Sequence, residues 1–255
     1  MRVLFGKTVF ITGASSGIGA ACARIFAAAG ARIILTARRL DKISELSSVI
    51  NQEFNTESIA LALDIRDFGQ VKNIINQLPQ NYKDINILIN NAGLALGSDK
   101  LQDAQTENWD RVIDTNLKGL LYVTREIIPG MLARKNGHVI NIGSVAGHEI
   151  YPGGNVYSAT KHAVRAISKS LRVDLLGTPI RVSSVDPGAV ETEFSIVRWG
   201  DEERAKKFYA DFTPLKPQDI ADAVLYCATR PPHVDISEIV IYPTDQASAN
   251  HLHRK

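Results

Sequence analysis

The chain has 255 residues, of which 45% are hydrophobic and 22% charged, and this globular composition argues against intrinsic disorder. Lysine plus arginine exceeds aspartate plus glutamate by only two (29 against 27), and basic residues cluster no further than adjacent pairs such as Arg38-Arg39. We therefore predict no nucleic-acid partner. No apolar run approaches the roughly 20 residues of a membrane-spanning helix, and a strand pattern begins where a signal peptide would stand. Cys22 and Cys227 form no CxxC pair and are predicted to be buried apolar residues. These features predict a cytoplasmic protein with no membrane partner.

Short apolar segments alternate with longer helical patterns along the chain. The predicted strands cover residues 8–11, 32–36, 58–63, 85–89, 138–142, 180–185 and 239–241. Continuous apolar strands separated by helices are typical of a parallel sheet covered on both faces. We therefore predict an α/β fold with a doubly wound, Rossmann-type sheet of about seven strands. No linker or repeat divides the chain, so residues 1–255 are predicted to form a single domain.

The β-α alternation is interrupted between Pro187 and Pro217. This segment contains a polar helical pattern at residues 201–209. Its predicted i,i+4 charge pairs are Glu202 with Lys206 and Glu203 with Lys207. Because a long insertion beyond the carboxyl end of a strand is where an α/β protein usually carries a lid, we expect a substrate lid at about residues 188–216.

A glycine-rich turn follows the first predicted strand and leads into an alanine-rich helix. Glycine lets the backbone turn sharply and approach a pyrophosphate, whose charge is met by free N–H groups at the helix N-terminus. The strand before the turn and the helix after it are the context that makes such a motif specific. The residues predicted to bind a dinucleotide here are Gly13, Ser15, Ser16, Gly17, Ile18 and Gly19.

The end of the second strand indicates which dinucleotide binds. Ala37 stands where an NAD enzyme usually has an acid for the ribose 2′-hydroxyl, and Arg38 and Arg39 follow it. A guanidinium suits a 2′-phosphate through charge and bidentate geometry, so NADP is the predicted cofactor. The alternative is that both arginines are solvated residues at the start of a helix. Asp64, just past the third strand, is predicted either to meet the adenine amino group or to cap a helix.

Tyr157 and Lys161 are spaced i,i+4, so both side chains project from one face of a helix. A neighbouring ammonium, together with oxidised nicotinamide, favours the phenolate and would lower the pKa of Tyr157 from about 10 toward working pH. Ser144 directly follows the strand at residues 138–142, where its hydroxyl could hold a substrate oxygen beside the phenol. Taken alone, the tyrosine and lysine could equally belong to a surface helix.

Taken together, several short motifs resemble the short-chain dehydrogenase/reductase family over nearly the whole chain. They are the glycine turn at residues 12–19, Asn90 to Gly93, Asn116, Ser144, the Tyr157-xxx-Lys161 pair and Pro187-Gly188. The resemblance implies that Tyr157 is the general acid/base, that Ser144 orients the carbonyl, and that Lys161 binds the nicotinamide ribose.

The resemblance also implies roles for residues around this pair. Asn116 would anchor a water of the proton relay. Residues expected on the cofactor are Asn90, Ala92 and Gly93 on the adenosine side, and Pro187, Gly188 and Thr192 at the nicotinamide amide. It further implies a homotetramer.

The substrate is less sharply defined. Residues 93–98, 186–198 and 241–248 resemble the branch of NADP-dependent 3-hydroxy acid dehydrogenases, which act on serine and 3-hydroxyisobutyrate-type acids. The carboxylate of such a substrate needs a cation, and Arg198 in the lid is the candidate. The alternatives are a reductase of 3-oxoacyl thioesters or other carbonyl compounds, and an NADP-sensing protein without turnover. His251 and His253 are spaced i,i+2 near the chain end without a further ligand, so no metal site is predicted.

Overall fold

The computed structural model describes residues 2–255 and contains one sheet of seven parallel strands. The strands are β1 (Thr8–Thr12), β2 (Arg32–Ala37), β3 (Ser58–Ala62), β4 (Ile85–Asn90), β5 (Gly137–Ile142), β6 (Ile180–Pro187) and β7 (Glu238–Ile241). Their order across the sheet is β3-β2-β1-β4-β5-β6-β7. Every pairing is parallel. The predicted doubly wound α/β fold is therefore confirmed, and the strand ends differ from the predictions by one or two residues.

Nine α-helices within residues 2–255 surround this sheet. They are α1 (Gly17–Ala28), α2 (Leu40–Phe54), α3 (Phe68–Asn76), α4 (Thr106–Ile113), α5 (Leu120–Arg134), α6 (Asn155–Asp174), α7 (Phe194–Trp199), α8 (Glu202–Tyr209) and α9 (Pro217–Ala228). A π-helical turn at Asp114–Gly119 joins α4 to α5. In this part of the chain, no helix combines the length and apolarity that a membrane crossing needs.

The strands are apolar along their whole length because both faces of the sheet are covered. In β1, Val9 and Ile11 pack into a core with residues of α1, α2 and α9, whereas Phe10 between them packs into a second core with residues of α5. Alternate side chains of one strand thus enter opposite layers, as pleated geometry requires. This two-layer packing explains why the strands lack the polar alternation of a half-exposed sheet.

The chain reverses its winding direction between β1 and β4. Strands β2 and β3 lie on one side of β1, while β4 to β7 extend on the other. The glycine turn after β1 and the segment after β4 consequently meet at the carboxyl edge of the sheet. In an open α/β sheet, this switch point is where ligands bind.

The segment predicted as a lid differs from the expectation in its helices. It contains two short helices, α7 and α8, where the sequence indicated one. The second begins at Glu202 with Asp201 as its N-cap, whose carboxylate accepts from the Arg204 N–H at 3.0 Å. The predicted i,i+4 ion pairs are not formed. Lys206 instead bonds Glu203 at 3.0 Å with i,i+3 spacing, a geometry that a helix offers equally.

Candidate active site

A cleft of about 650 Å³ opens at the carboxyl edge of the sheet, above the switch point. Most of the predicted site residues line it together, although they come from segments that are far apart in sequence. The predicted residues on its wall are Gly13, Ser15, Ser16, Gly17, Ile18, Arg38, Arg39, Asp64, Ala92, Gly93, Ser144, Tyr157, Lys161, Pro187, Gly188, Thr192 and Arg198. Its volume is in the range of small-molecule and cofactor sites.

The glycine turn has the geometry that a phosphate group requires. Gly13 and Gly17 have positive φ values of 66° and 55°, and a Cβ on Gly13 would lie only 2.8 Å from the Ala92 Cα. Ser16, the N-cap of α1, makes no side-chain capping bond, so the first N–H groups of the helix are left for a ligand. These observations fit the pyrophosphate of a dinucleotide.

Asn91, which the sequence analysis included in the Asn90 to Gly93 motif without a role of its own, holds this turn in place. Its side-chain nitrogen donates to the backbone oxygens of Thr12 and Gly13, both at 3.0 Å. The Thr12 hydroxyl in turn accepts from the backbone nitrogens of Asn91 and Ala92, both at 3.0 Å. The segment after β4 therefore braces the glycine turn. In the sequence, only the expected adjacency of β1 and β4 in a parallel sheet could have indicated this role.

The two arginines after β2 behave differently. Arg38 is exposed on the cleft wall and makes no side-chain hydrogen bond or ion pair within residues 2–255. Arg39 reaches back over the glycine turn, where its Nη2 bonds Ser15 at 2.9 Å, Ser16 at 3.0 Å and Glu193 at 2.8 Å. An unpaired guanidinium beside Ala37 fits a 2′-phosphate, since nothing nearby competes for its donors.

Asp64 is not a helix cap, because the N-cap of α3 is Asp67. Its carboxylate is instead held by Arg66, whose Nη2 donates at 2.5 Å. Hydrogen bonding to Arg66 lowers the pKa of Asp64. Asp64 remains on the cleft wall as a charged acceptor, which leaves contact with an adenine amino group as its predicted role.

Tyr157 and Ser144 meet at the inner end of the cleft. Ser144 follows β5 and starts a short 3₁₀ turn (Val145–Gly147), where its hydroxyl accepts from the Ala146 N–H at 3.0 Å. Burial raises the pKa of Tyr157 above its ordinary range, and hydrogen bonding with Ser144 and the charge of Arg198 oppose that rise. Among the chain's own residues, desolvation therefore outweighs the neighbouring charge in setting the phenol pKa. The lowering expected beside oxidised nicotinamide stays a prediction.

Lys161 lies one helical turn after Tyr157 and is buried. Its Nζ is 5.9 Å from the centre of the Tyr157 ring and donates to the Ile142 carbonyl at 2.8 Å. Burial lowers the pKa of Lys161 to about 8, with the charge of Asp186 acting in the opposite direction. The ammonium thus stands between the phenol and the end of β5, where it can influence proton transfer.

Three predicted residues lie behind the cleft wall. Asn90 is buried and bonds Thr124 at 2.8 Å and Asn141 at 2.9 Å. Gly19 packs so closely on the Gly13 backbone that no side chain fits. Asn90 supports the site from the end of β4 and Gly19 from the first turn of α1, and neither lines the cleft.

Asn116 is the third of these residues and lies in the π-helical turn. Its side chain exchanges two hydrogen bonds with the Leu94 backbone, both at 2.8 Å. A Cβ on Gly93 would lie 3.3 Å from the Asn116 Oδ1 and 3.7 Å from the Lys161 Nζ. Asn116 is thus near the ammonium, and its role in anchoring a water stays a prediction.

Arg198 joins the lid to two loops at the mouth of the cleft. Its guanidinium donates to the Gly97 carbonyl at 3.1 Å, to the Tyr151 hydroxyl at 2.9 Å and to the Gly153 carbonyl at 3.2 Å. Its charge also lowers the pKa of Tyr157. The sequence indicated a cation near the reacting centre, but it did not indicate that loops would occupy three of its five donors.

The segment predicted as a lid, together with Tyr151, forms an aromatic wall that the sequence analysis missed. Phe194 packs on Tyr157 with ring centres 5.5 Å apart, and Tyr209 donates to the Val190 carbonyl at 2.8 Å. Residues of this wall on the cleft are Tyr151, Phe194, Trp199, Phe208 and Tyr209. Aromatic residues at irregular spacing carry no periodic signal, so only their number between residues 194 and 212 could have drawn attention.

One cleft contains the glycine turn, the N-terminus of α1, the Tyr157 phenol and the Lys161 ammonium. This combination defines an oxidoreductase of the dinucleotide-binding class. The family model described as "short chain dehydrogenase" matches residues 7–203 of this chain. An NADP-dependent 3-hydroxy acid dehydrogenase of Schizosaccharomyces pombe (strain 972 / ATCC 24843) is 41% identical over 257 residues, covering 100% of this chain and 99% of that protein. An enzyme of the same description from Salmonella typhi is 45% identical over 94% of this chain and 96% of its own.

A solved structure described as the closed form of serine dehydrogenase complexed with NADP+ superimposes with a TM-score of 0.91. It is 42% identical and covers 97% of this chain and 100% of its own. The chain therefore belongs to the short-chain dehydrogenase family, and the resemblance and enzyme class expected from its motifs are confirmed.

Proposed function

We propose that this protein is an NADP-dependent dehydrogenase of small 3-hydroxy acids such as serine or 3-hydroxyisobutyrate, or a reductase of the matching semialdehydes. The observation that carries the proposal is one cleft that combines the Tyr157-Lys161 pair with two cations, Arg38 at its outer end and Arg198 at its mouth. A 2′-phosphate and a substrate carboxylate each need such a cation. The relatives named as 3-hydroxy acid dehydrogenases support the same substrate class.

The residues divide the chemistry between binding and proton transfer. The nicotinamide cofactor accepts or supplies the hydride when bound. The Tyr157 phenolate takes the proton of the substrate alcohol during oxidation, and the Tyr157 phenol donates a proton to the carbonyl oxygen during reduction. The Ser144 hydroxyl holds the substrate oxygen beside the phenol, and the Lys161 ammonium stabilises the phenolate. The aromatic wall of the lid excludes water from this end of the cleft.

Activity is tested by following NADP⁺ and NAD⁺ reduction with L-serine, 3-hydroxyisobutyrate and a panel of simple alcohols. We expect turnover of the hydroxy acids with NADP⁺ in preference to NAD⁺. Tyr157→Phe should lower kcat by about 10²- to 10⁴-fold, the usual contribution of a positioned acid or base. Tyr226→Phe, an exposed tyrosine on α9, is the matched control. Full activity of the Tyr157→Phe variant would exclude the proposed mechanism.

A second candidate substrate class is larger carbonyl compounds, including 3-oxoacyl thioesters. The aromatic wall formed by Phe194, Trp199 and Phe208 favours it, because apolar lining suits an extended apolar substrate. The same panel, run in the reductive direction with NADPH and a 3-oxoacyl thioester, separates the two classes by kcat/KM. A protein that senses NADP without turnover would bind the dinucleotide and reduce none of these compounds.

We further propose that the protein is a cytoplasmic homotetramer. Exposed apolar side chains on α5 and at the end of α6 support an interface between copies, among them Leu132, Val173 and Leu176 with 38%, 71% and 85% exposure. Both cysteines are buried and unpaired, as expected for a reducing compartment.

A further inference from the structure

A buried charge cluster lies directly beneath the proposed active site. Asp186, the penultimate residue of β6, is only 1% exposed and precedes the Pro187-Gly188 pair on the cleft wall. Its carboxylate accepts from the Ser184 hydroxyl at 2.5 Å and bonds the His148 Nε2 at 2.6 Å. Because the carboxylate is an acceptor, Nε2 is the protonated ring nitrogen. A carboxylate is seldom buried this deeply unless it is paired or hydrogen-bonded, as Asp186 is here.

Asp186 is in contact with the turn that carries Ser144. A Cβ on Gly143 would overlap the Asp186 carboxylate, so β5 can approach β6 here only with glycine. His148 ends the same turn, and its backbone nitrogen donates to the Val145 carbonyl at 3.0 Å. The bond between His148 and Asp186 therefore fastens one end of the turn to β6, and the Gly143 N–H, which donates to the Val185 carbonyl at 2.9 Å, fastens the other. Ser144 lies between these two attachments.

Asp186 also faces the helix that carries the catalytic lysine. Burial lowers the pKa of Lys161, and the negative charge of Asp186 opposes this lowering. Hydrogen bonding to Glu238 raises the pKa of Arg165, one helical turn further along α6, and Asp186 adds to that rise. Arg165 is itself paired with Glu238 on β7, with Nε donating at 2.6 Å. Glu238 lies 3.7 Å from the His148 Nε2. The charged and titratable groups around Asp186 thus come from the serine turn, from α6 and from β7.

A metal ion could in principle bind here, since three side chains have ligand atoms within 4.8 Å of one another: His148, Asp186 and Glu238. The hydrogen bonds of these side chains argue against a metal site. Arg165 already supplies the positive charge for Glu238, and Ser184 and His148 satisfy both Asp186 oxygens. The carboxylates of the cluster are thus paired with one another's neighbours, Arg165, Ser184 and His148. Asp186 acts on Lys161 through its charge.

We propose that Asp186 and His148 form a positioning pair, which holds the Ser144 turn against β6 and places a buried negative charge behind the cleft wall. Neither residue touches the substrate. This inference rests on the roles proposed above for Ser144 and Lys161. It gives roles to two residues to which the sequence analysis assigned none and which do not line the cleft.

The first test is the pH profile of kcat for Asp186→Asn, measured with NADP⁺ and the best hydroxy acid of the panel. Removing a buried negative charge lowers the pKa of neighbouring groups, because cations lose a stabilising partner and anions lose a repelling one. We therefore expect the whole profile to move to lower pH by about one unit. We expect kcat at its optimum to fall about tenfold, with KM for NADP⁺ changed less than about twofold.

The matched control is Asp235→Asn. Asp235 also pairs with an arginine of α6, Arg172, at 3.4 Å, and accepts from the Val182 N–H on β6, but at the end of the sheet away from the cleft. Its loss should lower thermal stability without moving the pH profile. An unchanged profile in folded Asp186→Asn would overturn the proposal, whatever happened to kcat.

If Asp186→Asn does not fold, two variants of His148 test the proposed positioning pair instead. His148→Gln keeps an N–H donor for the carboxylate and should retain most of the activity, whereas His148→Leu removes it and should lose about tenfold in kcat. Equal activity of the two folded variants would overturn the proposal. Wild-type enzyme that turns over no compound of the panel would instead refute the proposed function, so the two failures are distinguishable.

Discussion

Arg198 shows how one side chain can serve both structure and specificity. Its guanidinium is held by the Gly97 and Gly153 carbonyls and the Tyr151 hydroxyl, and its charge acts on the Tyr157 phenol. A fixed cation near the reacting oxygen can recognise a carboxylate with the two donors that remain. It also anchors the lid, so its loss should affect substrate more than cofactor.

We predict that Arg198→Ala raises KM for serine by about tenfold or more, which corresponds to one lost charge-assisted hydrogen bond, while KM for NADP⁺ changes little. Steady-state kinetics with each substrate varied in turn measure both constants. Arg204→Ala is the control, because Arg204 also reaches a cleft loop at the Ser98 hydroxyl (2.9 Å) but from the exposed side. An unchanged KM for serine would remove Arg198 from the substrate site.

At the scale of elements, the segment proposed as a lid depends on the N-cap of α8 and on hydrogen bonds within the segment. Helices α7 and α8 are short, and α8 is started by the Asp201 carboxylate at the Arg204 N–H. Helices of this length are marginal on their own and depend on capping and tertiary contacts. Tyr209, at the end of α8, supplies such contacts through its bonds to Val190 and Ser195, both at 2.8 Å.

We predict that Asp201→Ala destabilises α8 by about 1 kcal/mol and loosens the lid. KM for the hydroxy acid should rise severalfold, with affinity for NADP⁺ preserved because the glycine turn is untouched. Hydrogen exchange at residues 202–209 measures the loosening, and kinetics measure KM. Asp67→Ala removes the corresponding cap of α3 and should leave KM for the hydroxy acid as it is; a rise of equal size in both variants would contradict this role of the lid.

At the scale of the whole molecule, the cleft is bounded by segments from every part of the chain, but the faces of α5 and α6 turn outward. Their exposed apolar residues predict that Leu176→Lys, or Val173→Lys, weakens assembly, because a charge would be buried at an interface between copies. Light scattering coupled to size exclusion should show a tetramer for the wild type and smaller species for the variants. A wild-type monomer at all concentrations would refute the proposed assembly.

The sequence by itself determined the fold class and most of the candidate site. Apolar runs separated by helical periodicity identified seven strands, and glycine, tyrosine and lysine spacings are local, so residues such as Gly13 and Tyr157 could be recognised from their neighbours in the chain. The arginine after β2 likewise indicated NADP because it stands at a fixed distance from the glycine turn.

Only the tertiary structure decided contacts between residues far apart in sequence. The Arg39-Glu193 pair spans 154 positions, the Arg198-Tyr151 bond 47, and the His148-Asp186 bond 38. No periodicity relates such positions, because their distance depends on how whole strands and helices pack. The pKa of Tyr157 depends on packing in the same way, since burial is the largest cause of its rise above the ordinary range.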